Sequence, residues 1–155
     1  MRRPCGFMEF VRKEGYHAIV LVVADHDGRL ALHQAADPKE TFARIRGNRP
    51  ASLRLHRCWW LAGRPISDRV VRAFRQRLAD RQDADGWFDT APSEAEKFID
   101  ATLKDIGTWS ASETDVIDLM AHRERRKSGL PSHAPSPLRG VASLSGVTPR
   151  DLRIS

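Results

Sequence analysis

The chain begins its legible pattern at Ala18, where seven apolar residues run to Ala24. A run of that length, rich in Val and Leu, predicts a strand buried on both faces. Asp25 to Gly28 follows as a tight-turn signal, because Asp-Gly supplies the positive φ that a hairpin needs. Leu30 and Leu32 then alternate with Arg29, Ala31 and His33, so a second strand is expected to pair back antiparallel. Asp37 is placed as helix N-cap, Pro38 as first residue and Glu40 as the reciprocal partner of a capping box. Phe42 and Ile45 are the apolar contacts of that short helix, and Gly47 ends it.

From Ser52 to Leu61 the pattern alternates Leu53, Leu55 and Arg57 against Arg54, His56 and Cys58, which predicts a third strand. Ile66, Val70, Phe74 and Leu78 recur every four positions, with Val71 and Ala73 beside them, and Arg69, Arg72 and Arg75 take the opposite face. Trp87 and Phe88 read as core plugs after a turn. Ser93 and Glu96 are expected to box-cap a helix to about Ile106 that buries Ala95, Phe98, Ile99 and Leu103. A last helix, about Glu113 to Arg126, carries Val116, Ile117, Leu119 and Met120.

The expected architecture is α+β: a small antiparallel three-stranded sheet flanked by helices, with a C-terminal helical extension. We divide the chain into an N-terminal segment 1–14, a domain 15–107, a C-terminal helix 108–127 and a tail 128–155 rich in Pro and Ser. In that tail Ala142, Gly146 and Val147 resemble a short helix-turn-helix corner, with Arg150 and Arg153 placed to contact DNA. The bland alternative is a tail that docks on a partner or on its own domain.

Charge changes the picture more than composition does. The chain has 155 residues and a net charge of +6, yet residues 41 to 81 alone hold eleven arginines against Asp68 and Asp80, a net of +9. Arginine's planar fork suits phosphate, so nucleic acid, DNA in the first place, is the expected partner. The candidate contacts are Arg44, Arg46, Arg49, Arg54, Arg69, Arg72 and Arg75. Of the pair Trp59-Trp60, one is expected in the core and the other outside; we take Trp60 as the stacking surface for a base. The segment His122 to Lys127 is either a basic helix end or a further phosphate contact.

Two cysteines, Cys5 and Cys58, make neither a disulfide framework nor a zinc site, and both are expected reduced in a cytoplasmic protein. No apolar run is long enough for a membrane span, and the N-terminus lacks the apolar stretch of a signal peptide. His33 and His56 lie on strands expected to be adjacent, but without a third ligand no metal is expected there.

The order strand, Asp-Gly turn, strand, capped helix, basic Gly47–Pro50 loop, strand, long helix and Trp87-Phe88 resembles the GIY-YIG endonuclease superfamily, in its short phage and prophage branch. The resemblance spans roughly residues 15 to 106 and rests on Gly28, Asp37-Pro38, Gly47 to Pro50 and Trp87-Phe88. It implies a metal-dependent nuclease fold, and it sets out where the working residues would stand. Thr41 takes the position of the catalytic Arg, Val71 that of the metal-holding Glu and Arg75 that of the His of the long helix. Leu78 falls at that helix's Phe, and Gly86 replaces the Glu before Trp87. Ala31 to His33 falls where the branch has Lys-Ile-Gly, and Tyr16 lies near the first motif.

Such chemistry needs a carboxylate to hold Mg²⁺, and Val71 supplies none. The expectation is therefore a nuclease-like fold without a nuclease site, needing no cofactor, that binds nucleic acid and acts in regulation. One alternative is a relocated nuclease site in which Asp68 holds Mg²⁺ and Arg72 or Arg44 supplies the cation. Another is a protein-interaction module that docks on a transcription or DNA-processing partner through residues 108–155.

Overall fold

A computed structural model describes residues 2–47, 52–127 and 129. The expectations for the loop 48–51 and for the helix-turn-helix corner in the tail fall outside them. Four strands form one antiparallel sheet in the order β2-β1-β3-β4: β1 (His17–Ala24), β2 (Leu30–Ala35), β3 (Leu53–Leu61) and β4 (Ser110–Ala111). The expected hairpin is present. β1 pairs β2 from Ala18↔Ala35 to Val23↔Leu30, and Gly28 takes a φ of 73° in the turn between them. That left-handed value is open to glycine at little cost.

The continuous apolar run of β1 is explained by helices on both sides of it. Ile19, Leu21 and Val23 point to a first face, where Leu32, Trp59 and Leu61 meet Val70, Val71 and Phe74 of α3 (Arg64–Arg77) and Ile99 and Leu103 of α4 (Pro92–Ile106). The alternate residues Val20 and Val22 point to a second face. There α2 (Pro38–Gly47) lays Phe42 and Ile45 over them and over Leu53. Farther along this face α1 (Phe7–Glu14) and α5 (Glu113–Lys127) pack Phe7, Val11, Val116 and Leu119 around Trp60 and Trp109. Trp87 plugs the second face and Phe88 the first, both buried as the pattern predicts. Each large side chain so buried contributes about 1.5–3 kcal/mol over its exposed state.

Three expectations are corrected. The sheet has four strands rather than three, because Ser110 and Ala111 pair with Leu61 and Trp60; two residues are too few to leave a periodic signal. Segment 1–14 contains a helix, and α5 buries Val116 and Leu119 in the same core as the sheet. The strict alternation of β3 fails at a bulge: Leu21 pairs with Arg57 and Val22 with Leu55, so His56 is the extra residue. Arg57 therefore shares the first face with Trp59, while Leu53 and Leu55 turn to the second.

Capping also departs from the pattern at two helices, since Glu40 makes no return bond to Asp37 at α2 and the box expected at α4 does not form. Asp37 caps α2 as expected, its Oδ1 accepting from the Lys39 N–H at 3.1 Å. At α4 the expected Ser93–Glu96 box is absent; Ala91 is the N-cap, with Pro92 opening the helix. Glu96 instead bonds His56 at 2.9 Å and Arg57 at 3.1 Å across the sheet. A reciprocal box does form at α5, where the Asp115 N–H donates to Ser112 Oγ and the Ser112 N–H to Asp115 Oδ2, each at 3.1 Å. No described helix is long and apolar enough to cross a membrane.

Candidate nucleic-acid interface

The arginines divide into two populations. Arg3 pairs with Asp37 and Glu113, Arg29 with Asp83, Arg54 with Asp25, Arg57 with Glu96 and Asp100, and Arg123 with Glu14. Each of these guanidiniums already has at least one carboxylate beside it. Arg2, Arg12, Arg44, Arg46, Arg64, Arg69, Arg72, Arg75, Arg77, Arg81 and Arg126 are exposed and have no acidic partner among the described residues. Five of these eleven lie on α3, whose only acidic residue is Asp68. Because α3 buries Ser67, Val70, Val71 and Phe74, the helical period forces Arg69, Arg72 and Arg75 outward as a stripe.

The arginines do not form one continuous surface. Arg44 and Arg46 ride on α2, which covers the second face, whereas Arg69, Arg72 and Arg75 ride on α3, which covers the first. Arg54 lies 3.4 Å from Asp25, and Arg49 falls outside the described residues. Trp60 is corrected outright. It is fully buried between Phe7 and the α5 side of the core, and Trp59 is buried as well, so neither offers a ring to a base. Alternation predicts one Trp inside and one outside; helices on both faces bury both.

Beside the stripe is a groove of about 400 Å³ lined by Gln34, Asp68, Val71, Arg72, Arg75 and Gln76 with Ala79 at one end. A chain of hydrogen bonds runs from it into the core. Gln34 Nε2 donates to Ser67 Oγ at 2.9 Å and, by a short contact, to Asp68 Oδ1. Ser67 Oγ donates to the Arg64 carbonyl at 3.0 Å and lies 3.0 Å from His17 Nδ1. The single hydroxyl proton of Ser67 is committed to Arg64, so His17 is the donor in its contact with Ser67. A histidine that donates cannot take the serine proton, and Ser67 is fully buried; this trio is structural and not a nucleophilic site. Burial, aided by the Arg64 charge and opposed by Asp68, lowers the His17 pKa below the ordinary imidazole value.

Ser67, Gln34 and His17 escaped the sequence reading. One signal was available: Ser67 stands three, four and seven residues before Val70, Val71 and Phe74, a hydroxyl on an otherwise apolar stripe.

The structure also separates residues that the resemblance would join. Thr41 is buried on α2, and Val71 lines the α3 groove, so the two lie on opposite faces of the sheet. Of the relocated set, Asp68 and Arg72 meet at the groove, and Arg44 does not. His33 and His56 are separated by β1, which lies between β2 and β3; His33 aligns with Val20, and His56 bonds Glu96 of α4. On the far side of the molecule a groove of about 610 Å³ is lined by Pro4, Cys5, Ile117, Met120 and Ala121 with Glu124 and Arg125. Burial, reinforced by Glu113 and Asp37 and opposed by Arg3, pushes the Cys58 thiol up to about 12. Against this geometry, no family model, no curated protein and no solved structure matches the chain.

Proposed function

We propose that this protein binds nucleic acid, DNA in the first place, without cutting it, and that it holds the phosphate backbone on Arg69, Arg72 and Arg75 of α3. The observation that carries the reading is the division of the arginines, with α3 holding a stripe that no carboxylate among the described residues neutralises. Residues three apart on a helix rise about 4.5 Å, so the three guanidiniums follow one another closely enough to track a strand. Their mutual repulsion is relieved when phosphates come between them, which makes binding electrostatic and tolerant of sequence.

The reading includes a GIY-YIG-like domain that has given up cleavage. Val71 stands where the resemblance calls for the metal-holding carboxylate, and a valine coordinates nothing. Arg44 and Arg46, on the other face, are left for a second segment of the same partner or for none.

The test is fluorescence anisotropy of the protein with a labelled duplex across a salt series. Binding at low salt that falls steeply as salt rises is expected, and the triple change Arg69→Glu, Arg72→Glu, Arg75→Glu abolishes it. Binding that survives the triple change overturns the assignment to α3.

A further inference from the structure

We propose that the groove beside α3 takes a single unpaired guanine nucleotide, its phosphate on Arg72 and Arg75 and its base edge on Asp68 and Gln34. The inference rests on the phosphate-binding role of α3 and adds a base to it.

The hydrogen-bond inventory of the groove leads to this ligand. Asp68 Oδ1 and Ser67 Oγ both act as acceptors toward Gln34, which fixes the orientation of the amide and consumes both of its N–H groups. Gln34 Oε1 is left as an acceptor with no partner among the described residues, and so is the second oxygen of Asp68. The groove therefore offers two free acceptors next to each other, anchored from behind by Ser67 and His17. Arg72 and Arg75 on its rim supply unpaired cations, and Val71 and Ala79 supply apolar surface.

A ligand that fits must carry an anion and an edge with two adjacent donors. Among the common bases only guanine has one, its N1–H beside its N2 amino group. Uracil and thymine flank their N–H with carbonyls, and adenine and cytosine set an acceptor nitrogen beside their amine. Those edges place lone pairs against the Asp68 carboxylate. In a duplex the guanine edge is already paired, so the groove selects a nucleotide that is free or unpaired. A volume of about 400 Å³ is in the range of sites that hold one small ligand.

The test is isothermal titration calorimetry of the full chain with GMP, AMP, UMP and inorganic phosphate, run beside the duplex-binding assay. GMP is expected to bind at least about tenfold more tightly than AMP or UMP. Asp68→Asn, which keeps the size of the side chain and turns one acceptor into a donor, is expected to remove that preference while duplex binding persists. Arg72→Ala with Arg75→Ala is expected to weaken every nucleotide alike. Equal binding of all three nucleotides and phosphate overturns the base-reading role and leaves only an anion site. Duplex binding without any GMP binding overturns this inference alone; loss of both overturns it together with the function it rests on. A single-stranded oligonucleotide with one guanine, set against one with none, distinguishes a strand-borne nucleotide from a free one.

Discussion

The guanidinium of Arg57 lies 4.5 Å from the centroid of the Trp59 ring, and Asp100 holds both side chains, taking Arg57 Nη1 at 3.1 Å and Trp59 Nε1 at 3.0 Å. This contact fastens β3 to α4 across the first face. It places an arginine of the basic block in a structural role, since cation, ring and carboxylate satisfy one another. Asp100→Ala strands the indole N–H and is expected to cost about 1–2 kcal/mol. Urea denaturation reads the loss. DNA binding of the variant should remain at the wild-type level, because Arg57 is not part of the free stripe.

The stripe and the paired arginines should differ in their response to salt. Removing Arg69, Arg72 and Arg75 together, each to Ala, is expected to reduce the slope of log affinity against log salt by about 2 to 3, near 0.9 per lost phosphate contact. Arg57→Ala should leave the slope where it was. Equal slopes for both variants would show that charge acts without regard to place.

The two cysteines should separate chemically. Cys5 is exposed, while the Cys58 thiol, held at about 12, is roughly one part in ten thousand thiolate at pH 8. A maleimide or iodoacetamide is expected to add one label per native chain, at Cys5, and two after denaturation. Intact-mass and peptide mass spectrometry count and locate the labels. Rapid native labelling of Cys58 would contradict its packing on β3 against the second-face core.

His17 supplies a pH dependence whose sign is set by its lowered pKa. Between the folded value and the unfolded value of 6.5 the unfolded chain binds more protons than the folded one. The His17 contribution to stability is therefore complete above 6.5 and is lost as pH falls through the folded pKa. Thermal melts from pH 7.5 downward should show the midpoint falling through this window. Imidazole NMR should place His17 below the ordinary imidazole value.

The strands and most helices are legible because they obey one period for their whole length. β1 and α3 are the clearest cases: Ala18 to Ala24 is continuous, and Val70, Phe74 and Leu78 recur by four. What escapes depends on contacts between distant segments. Glu96 reads as a cap three residues after Ser93, but His56 and Arg57 compete for its carboxylate and win. Trp60 reads as surface because alternation assumes one dry face, and α1 and α5 make the other face dry too. The groove escapes because Gln34 and Asp68 are 34 residues apart and meet only when β2 is laid against α3.

The extra residue at His56 gives β3 a change of phase in its middle. On one side of it the strand turns Leu53 and Leu55 toward α2; on the other it turns Trp59 and Leu61 toward α3 and α4. Leu55 and Arg57 pair with neighbouring residues of β1, Val22 and Leu21, so a one-residue deletion at 56 would restore even pairing and keep both halves of the strand in their present layers. What the extra residue brings is an imidazole that reaches Glu96 of α4 at 2.9 Å. A strand without it would lose that tie to α4 and keep its layers.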